Sequence, residues 1–139
     1  MMDINALGQH IGLEGRAIAL LLEVPSDRND LGRQIAKELC SDENCTSFIH
    51  SDPVHPYYIN YFSQKISASQ RKDNKTLIVL EGVHRQANLT SMMMSLEKSA
   101  GEDIIIVATT DQVNKLGVER GLFSHRFKTE DGKDFQKIL

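Results

Sequence analysis

The chain has little of what would announce a chemistry. Two cysteines, Cys40 and Cys45, among 139 residues are too few for a disulfide framework, so reduced thiols in a cytoplasmic protein are expected. The apolar runs fall far short of the ~20 residues that span a bilayer, and residues 1–13 lack the basic start and apolar block of a signal peptide. A net charge of −3 provides no global positive field to hold DNA or RNA. Spacing alone supports no Ser-His-Asp set, no Cys-His dyad and no paired-carboxylate signature. Internal repeats, linkers and low-complexity segments are likewise missing. What remains is a soluble single domain over residues 1–139, with no membrane association and with nucleic acid reached only indirectly. At 40% hydrophobic content it is large enough to bury roughly two thirds of its unfolded surface.

Within it, three apolar runs stand out. Residues 16–24, 76–80 and 103–108 are too continuously apolar for a one-sided sheet and read as strands covered on both faces. Residues 46–50 and 123–129 are shorter strand candidates. Helical spacing links Leu31, Ile35, Ala36 and Leu39, with Asp30 placed to cap that helix. It also links Tyr57, Tyr58, Tyr61, Phe62, Lys65 and Ile66 after a proline turn. From residue 86 to 99 Leu89, Met92, Met93 and Leu96 mark one helix face, with Gly101 as its stop. A short helix is predicted around residues 112–116, a turn at Gly121, and a polar tail in which Phe135, Ile138 and Leu139 are docking residues. This alternation predicts an α/β fold: three layers, α/β/α, around a five-stranded parallel sheet with right-handed crossovers.

In such a sheet ligands bind beyond the carboxyl ends of the strands, at residues 23–30, 50–56, 81–85 and 109–111. The first of these tips, Glu23-Val24-Pro25-Ser26-Asp27-Arg28-Asn29-Asp30, stands where a nucleotide-binding domain carries a glycine-rich loop, and its glycines are missing. With the strand before it and the helix after it, the stretch from Ala19 to Leu39 resembles the phosphate-loop region of an AAA+ ATPase. Leu77-Ile78-Val79-Leu80-Glu81-Gly82 resembles the Walker B strand, Ile104-Ile105-Ile106-Val107-Ala108-Thr109-Thr110 the sensor 1 strand, and Gly121-Leu122-Phe123-Ser124-His125-Arg126-Phe127 the segment that offers an arginine finger to a neighbour. The likeness, clamp-loader-like in its order, covers residues 16–130; the helical lid that usually follows is not among these residues.

The departures bear on mechanism. A phosphate loop needs positive φ and backbone N–H groups turned toward phosphate, then Lys followed by Ser or Thr. Here Pro25 and Asp27 take glycine positions, Arg28 the lysine and Asn29 the hydroxyl. Glu81 could still hold a metal, but Gly82 replaces the carboxylate that positions water. The resemblance therefore implies a catalytically silent P-loop NTPase-like domain without cofactor, assembling with itself or with other AAA+-type subunits, often in DNA replication, repair, transposition or transcription control. The competing expectation is an active or weakly nucleotide-binding NTPase with an atypical phosphate loop, holding ATP/Mg through Arg28, Asn29, Asp30, Glu81 and Thr110; another is a small α/β protein-binding module with no nucleotide history. Arg126 is the partner-acting arginine, and the His84-Arg85 and His125-Arg126 pairs are the cations best placed to act beyond the domain.

Two further patterns have bland readings. Cys40, Cys45, His50 and His55 are all zinc-ligating types, but Cys-x4-Cys-x4-His-x4-His is unlike the common units, and a strand between the ligands holds them apart. Met92-Met93-Met94 suggests an adaptable face, yet the helical period buries two of the three and exposes Met94. The rings at residues 57–62 with Lys65, Arg71, Lys72 and Lys75 could stack on single-stranded nucleic acid; core packing is the expectation for most of them.

Overall fold

A computed structural model describes residues 2–14, 18–40, 45–50, 52–53, 55, 61, 63–68, 75–100 and 104–138. In chain order it has α1 (Ile4–Glu14), β1 (Ile18–Glu23), α2 (Leu31–Leu39), β2 (Cys45–His50), β3 (Lys75–Leu80), a 3₁₀ turn Val83–Arg85, β4 (Ile104–Thr110), β5 (His125–Lys128) and β6 (Gln136–Lys137). Between β2 and β3 residues 63–68 are helical, α3; between β3 and β4 lies α4 (Leu89–Ala100). The strand order is β2-β3-β4-β1-β5-β6.

The first five strands in that order are mutually parallel, while β6 pairs antiparallel with β5. The predicted five-stranded parallel sheet is thus a six-stranded mixed one. The cause is local: after Lys128 the chain reverses through Asp131, whose Oδ1 accepts the N–H groups of Lys133 and Asp134 at 2.8 and 3.0 Å. A reversal of that length can only return antiparallel.

Side-chain alternation divides the core into two dry layers. Ala19, Leu21, Ile78, Leu80, Ile104 and Ile106 face one side, where Ile66 of α3 and Leu89, Met92, Met93 and Leu96 of α4 cover them. Leu20, Leu22, Leu77, Val79, Ile105 and Val107 face the other, against Leu7 and Ile11 of α1 and Leu31 and Ile35 of α2. This arrangement is compatible with a three-layer α/β/α fold. Each fully buried Leu or Ile contributes about 1.5–3 kcal/mol, which is why the runs that supply both layers dominate the fold. Met94 points outward at 65% exposure, as its helical phase predicts.

Helix starts show how local chemistry decides caps. Asp3 accepts the Ala6 N–H at 2.8 Å and opens α1, whose Leu7 and Ile11 then share a face. Asp30, expected to cap α2, makes no cap bond and is itself helical at φ −62°, ψ −16°. A capping residue needs extended backbone to turn its oxygen back onto the helix, and the Asp30 carboxylate instead accepts from Arg28 Nε and Gln34 Nε2, each at 3.2 Å.

Several smaller expectations change. Residues 113–115 and 117–122 form 3₁₀ helices, so Gly121 lies inside a helical turn. In the tail Phe135 is buried and its N–H donates to Met2 O at 2.7 Å, whereas Ile138 is exposed because it follows the short edge strand. Of the ring cluster, Tyr61 is exposed with Lys65 Nζ 4.7 Å from its centroid; Tyr57, Tyr58, Phe62, the stop at Gly101 and Leu139 lie outside the described residues. Cys40 and Cys45 are joined in a disulfide with Cα atoms 5.3 Å apart, not reduced: the end of α2 and the start of β2 bring them together. Among the described residues no helix is long and apolar enough to cross a membrane.

Candidate functional site at the strand tips

The parallel register carries the ends of β1, β3 and β4 to one edge of the sheet, and three of the four tips singled out from sequence meet there. Val24 N–H donates to Thr110 O at 2.9 Å, so the loop that leaves β1 starts against the end of β4. Glu81 N–H donates to His50 O at 2.9 Å, which ties the β2 end to the rim from the side. His55 is exposed.

The loop holds one left-handed residue that is not glycine. Asp27 has φ +62°, a conformation more usual for glycine. Its N–H donates to Asp111 Oδ2 at 3.3 Å. Arg28 N–H closes a turn onto Pro25 O at 3.1 Å, and the N–H groups of Leu31, Gly32 and Arg33 donate to Arg28, Asn29 and Asp30 carbonyls. The Asp27 and Arg28 N–H groups are thus engaged by the chain's own acceptors, one of them a carboxylate, and the next three bonds form the first turn of α2. Asp111 also sets a carboxylate beside the loop.

The side chains around the loop are braced pairwise. Thr109 is fully buried; its hydroxyl donates to Asn29 O at 3.1 Å and accepts the Gly82 N–H at 3.3 Å. The Asn29 Oδ1 is buried without a hydrogen-bond partner among the described residues. Gly32 allows α2 to close on the sheet, because a Cβ there would lie 3.0 Å from Val79 Cγ1 and 3.1 Å from Thr109 Cγ2. Gly82 is left-handed at φ +64° and lies under the Arg85 guanidinium, whose Nη2 would be 2.6 Å from a Cβ.

Of the residues assigned to nucleotide binding, Arg28 is paired with Asp30 at 3.2 Å and is 42% exposed; its guanidinium also packs over Gly132 in the reversal before β6. Glu81, the metal candidate, is 8% exposed and forms an ion pair with Arg33 of α2, with a second contact from Nη2 to Oε2 at 3.4 Å. The hydrogen bond to Glu81 and its charge raise the Arg33 pKa. Both Glu81 oxygens are thereby engaged by Arg33. Thr110 is buried and its Oγ1 lies 2.8 Å from His84 Nδ1. Arg126 lies apart, opposite Leu21 on β5 with its Nε buried and unpartnered among the described residues.

Sequence reasoning missed three members of this rim. Arg33 stands five residues past Arg28 on the helix, and only the α2 crossover reveals that it reaches Glu81. Asp111 lies in a tip already singled out but was given no role. His84, expected to act beyond the domain, is turned inward with its side chain 4% exposed; burial lowers its pKa. A His-Arg pair after a strand looks like solvated charge, and nothing local marks its first member as buried.

For zinc, the disulfide takes two of the four candidate ligands, and the described residues contain no group of three or more His, Cys, Asp or Glu able to hold a metal ion. A cavity of about 200 Å³ lies between β5, β6 and their reversal, lined by Lys128, Thr129, Glu130, Asp131, Asp134 and Gln136. Two of its carboxylates serve structure: Asp131 closes the turn, and Asp134 Oδ1 accepts the Met2 N–H at 3.0 Å. No protein-family model and no curated protein matches the chain.

Proposed function

We propose that this chain is a catalytically silent AAA+-like domain that serves as a structural or regulatory subunit, assembling with itself or with active ATPases of its kind. The observation that carries the reading is the loop between β1 and α2, which has a left-handed turn at Asp27 while the Asp27 N–H is bound by the Asp111 carboxylate and the Arg28 N–H by Pro25 O. The strand order supports it: β1 runs between β4 and β5, as the resemblance requires of the first, sensor and last strands.

Thermal unfolding with Mg-ATP and Mg-ADP tests the silent half of the proposal. A ligand at one hundred times its dissociation constant stabilises by about 2.7 kcal/mol; the expected result is no shift and no phosphate release. Sedimentation of the chain alone and mixed with an AAA+ subunit tests the assembling half. A saturable nucleotide shift sinks the first half, and a strictly monomeric chain that joins no such subunit sinks the second. A second reading, weak nucleotide binding, is favoured by the retained conformation of Asp27, and the same titration decides it.

A further inference from the structure

Between the ends of β3 and β4 an imidazole is buried with a hydroxyl at one nitrogen and a carboxylate near the other. His84 Nδ1 is 2.8 Å from Thr110 Oγ1, and Nε2 is 3.6 Å from Asp111 Oδ1. Thr110 Oγ1 already accepts the Gln112 N–H at 3.1 Å, so its own proton is available to Nδ1. The neutral ring then carries its proton on Nε2, facing Asp111. Asp111 Oδ1 is buried and has no hydrogen-bond partner among the described residues, while Oδ2 receives the Asp27 N–H at 3.3 Å. One carboxylate therefore spans the imidazole and the loop.

We propose that His84 and Asp111 form a proton-operated latch that sets the shape of the loop at residues 24–30. Protonation turns Nδ1 from acceptor into donor, so the Thr110 hydroxyl rotates to accept. The imidazolium Nε2–H draws Asp111 Oδ1 toward the roughly 2.8 Å of a charge-assisted bond. Both oxygens belong to one rigid carboxylate, so Oδ2 moves with it and releases an Asp27 N–H that is held only at 3.3 Å.

The charges facing His84 are Asp111 from the end of β4, Lys115 from the 3₁₀ turn after it and Arg85 from its own turn. Burial is the largest influence and lowers the pKa from 6.5; Asp111 opposes it, and the two cations reinforce it. The latch is thus in its neutral state near pH 7 and switches on acidification. Linkage has a definite sign, because the unfolded chain takes up this proton before the folded one. The His84 contribution favours folding most above its ordinary value, weakens as pH falls from 6.5 to the lowered folded value, and is level below that. None of this depends on ATPase ancestry.

The test is an NMR titration of the full chain from about pH 8 to about pH 4, a range that brackets histidine ionisation, following the His84 ring and the Asp27 amide. The expected result is a common midpoint for the two signals, below 6.5, and loss of that inflection at Asp27 in His84→Gln. An Asp27 amide that stays flat while His84 titrates overturns the latch, as does an inflection that persists in His84→Gln. Should that variant fail to fold, the wild-type titration alone decides, since the latch requires the two midpoints to coincide.

Discussion

The middle of the sheet and its carboxyl rim are made by the same strands a few residues apart, yet they are specified in different ways. In the middle, Leu20, Leu21, Ile78, Val79, Ile106 and Val107 are at most 1% exposed, and each meets several apolar neighbours, none of them indispensable. At the rim the contacts join particular polar atoms: Thr109 with Asn29 and Gly82, His84 with Thr110, Asp111 with Asp27, Arg33 with Glu81. The middle asks for apolar volume, which many sequences supply. The rim asks for particular atoms, so a single substitution there breaks a named contact.

Volume-conserving and volume-losing changes in the middle give the largest contrast. Leu21→Ala is expected to cost about 3 kcal/mol in urea unfolding, within the usual range for a fully buried leucine, while Leu21→Met costs less than about 1.5 kcal/mol because the volume is kept. Equal costs for the two would mean that the middle, too, depends on particular shapes, and the contrast with the rim would fail.

The rim equivalent is Thr109→Val, which keeps volume and removes one oxygen. It strands the Gly82 N–H and leaves the Asn29 carbonyl with the Gly32 N–H alone, and a buried unsatisfied group costs about 1–3 kcal/mol before relaxation. We expect a loss of about 2 kcal/mol, more than the volume-conserving change at Leu21, and faster amide exchange at Gly82. A neutral Thr109→Val would show that the rim is as permissive as the middle.

The same division explains what could be read from the sequence. The strands of the middle were legible because a strand covered on both faces is written as a run, and residues 76–80 and 103–108 can hardly be anything else. The Met92-Met93 phase was legible for the same reason. Strand β6 was not: Gln136 and Lys137 are exposed on both faces, so no alternation marks them, and their pairing follows from the turn at Asp131. Helix α1 carries a Leu7 and Ile11 pair at helical spacing, but two positions make a weak periodic signal beside the long runs of the strands. At the rim the sequence located the tips, since they follow from the strand ends. It did not give their partners, because Arg33 and Glu81 are 48 residues apart, and Asp27 and Asp111 are 84 apart. Such pairs form only once the crossovers have been made.

The smallest effect sharpens the comparison most, because it asks whether the loop is shaped by its backbone or by its side chains. Asp27 and Asn88 are the two non-glycine residues with positive φ among the described ones, at +62° and +56°. A left-handed L-residue carries roughly 1 kcal/mol of Cβ strain, which glycine relieves, while glycine's greater freedom in the unfolded chain returns most of that gain. Asp27→Gly is therefore expected to stabilise by about 0.5 kcal/mol or less, with the Asp111 contact kept because it uses the backbone N–H. Asn88→Gly, just before α4, provides the control for the backbone term. If Asp27→Gly instead costs more than about 1 kcal/mol while Asn88→Gly does not, the Asp27 carboxylate is itself part of the rim, and the loop is held by side chains at both of its ends.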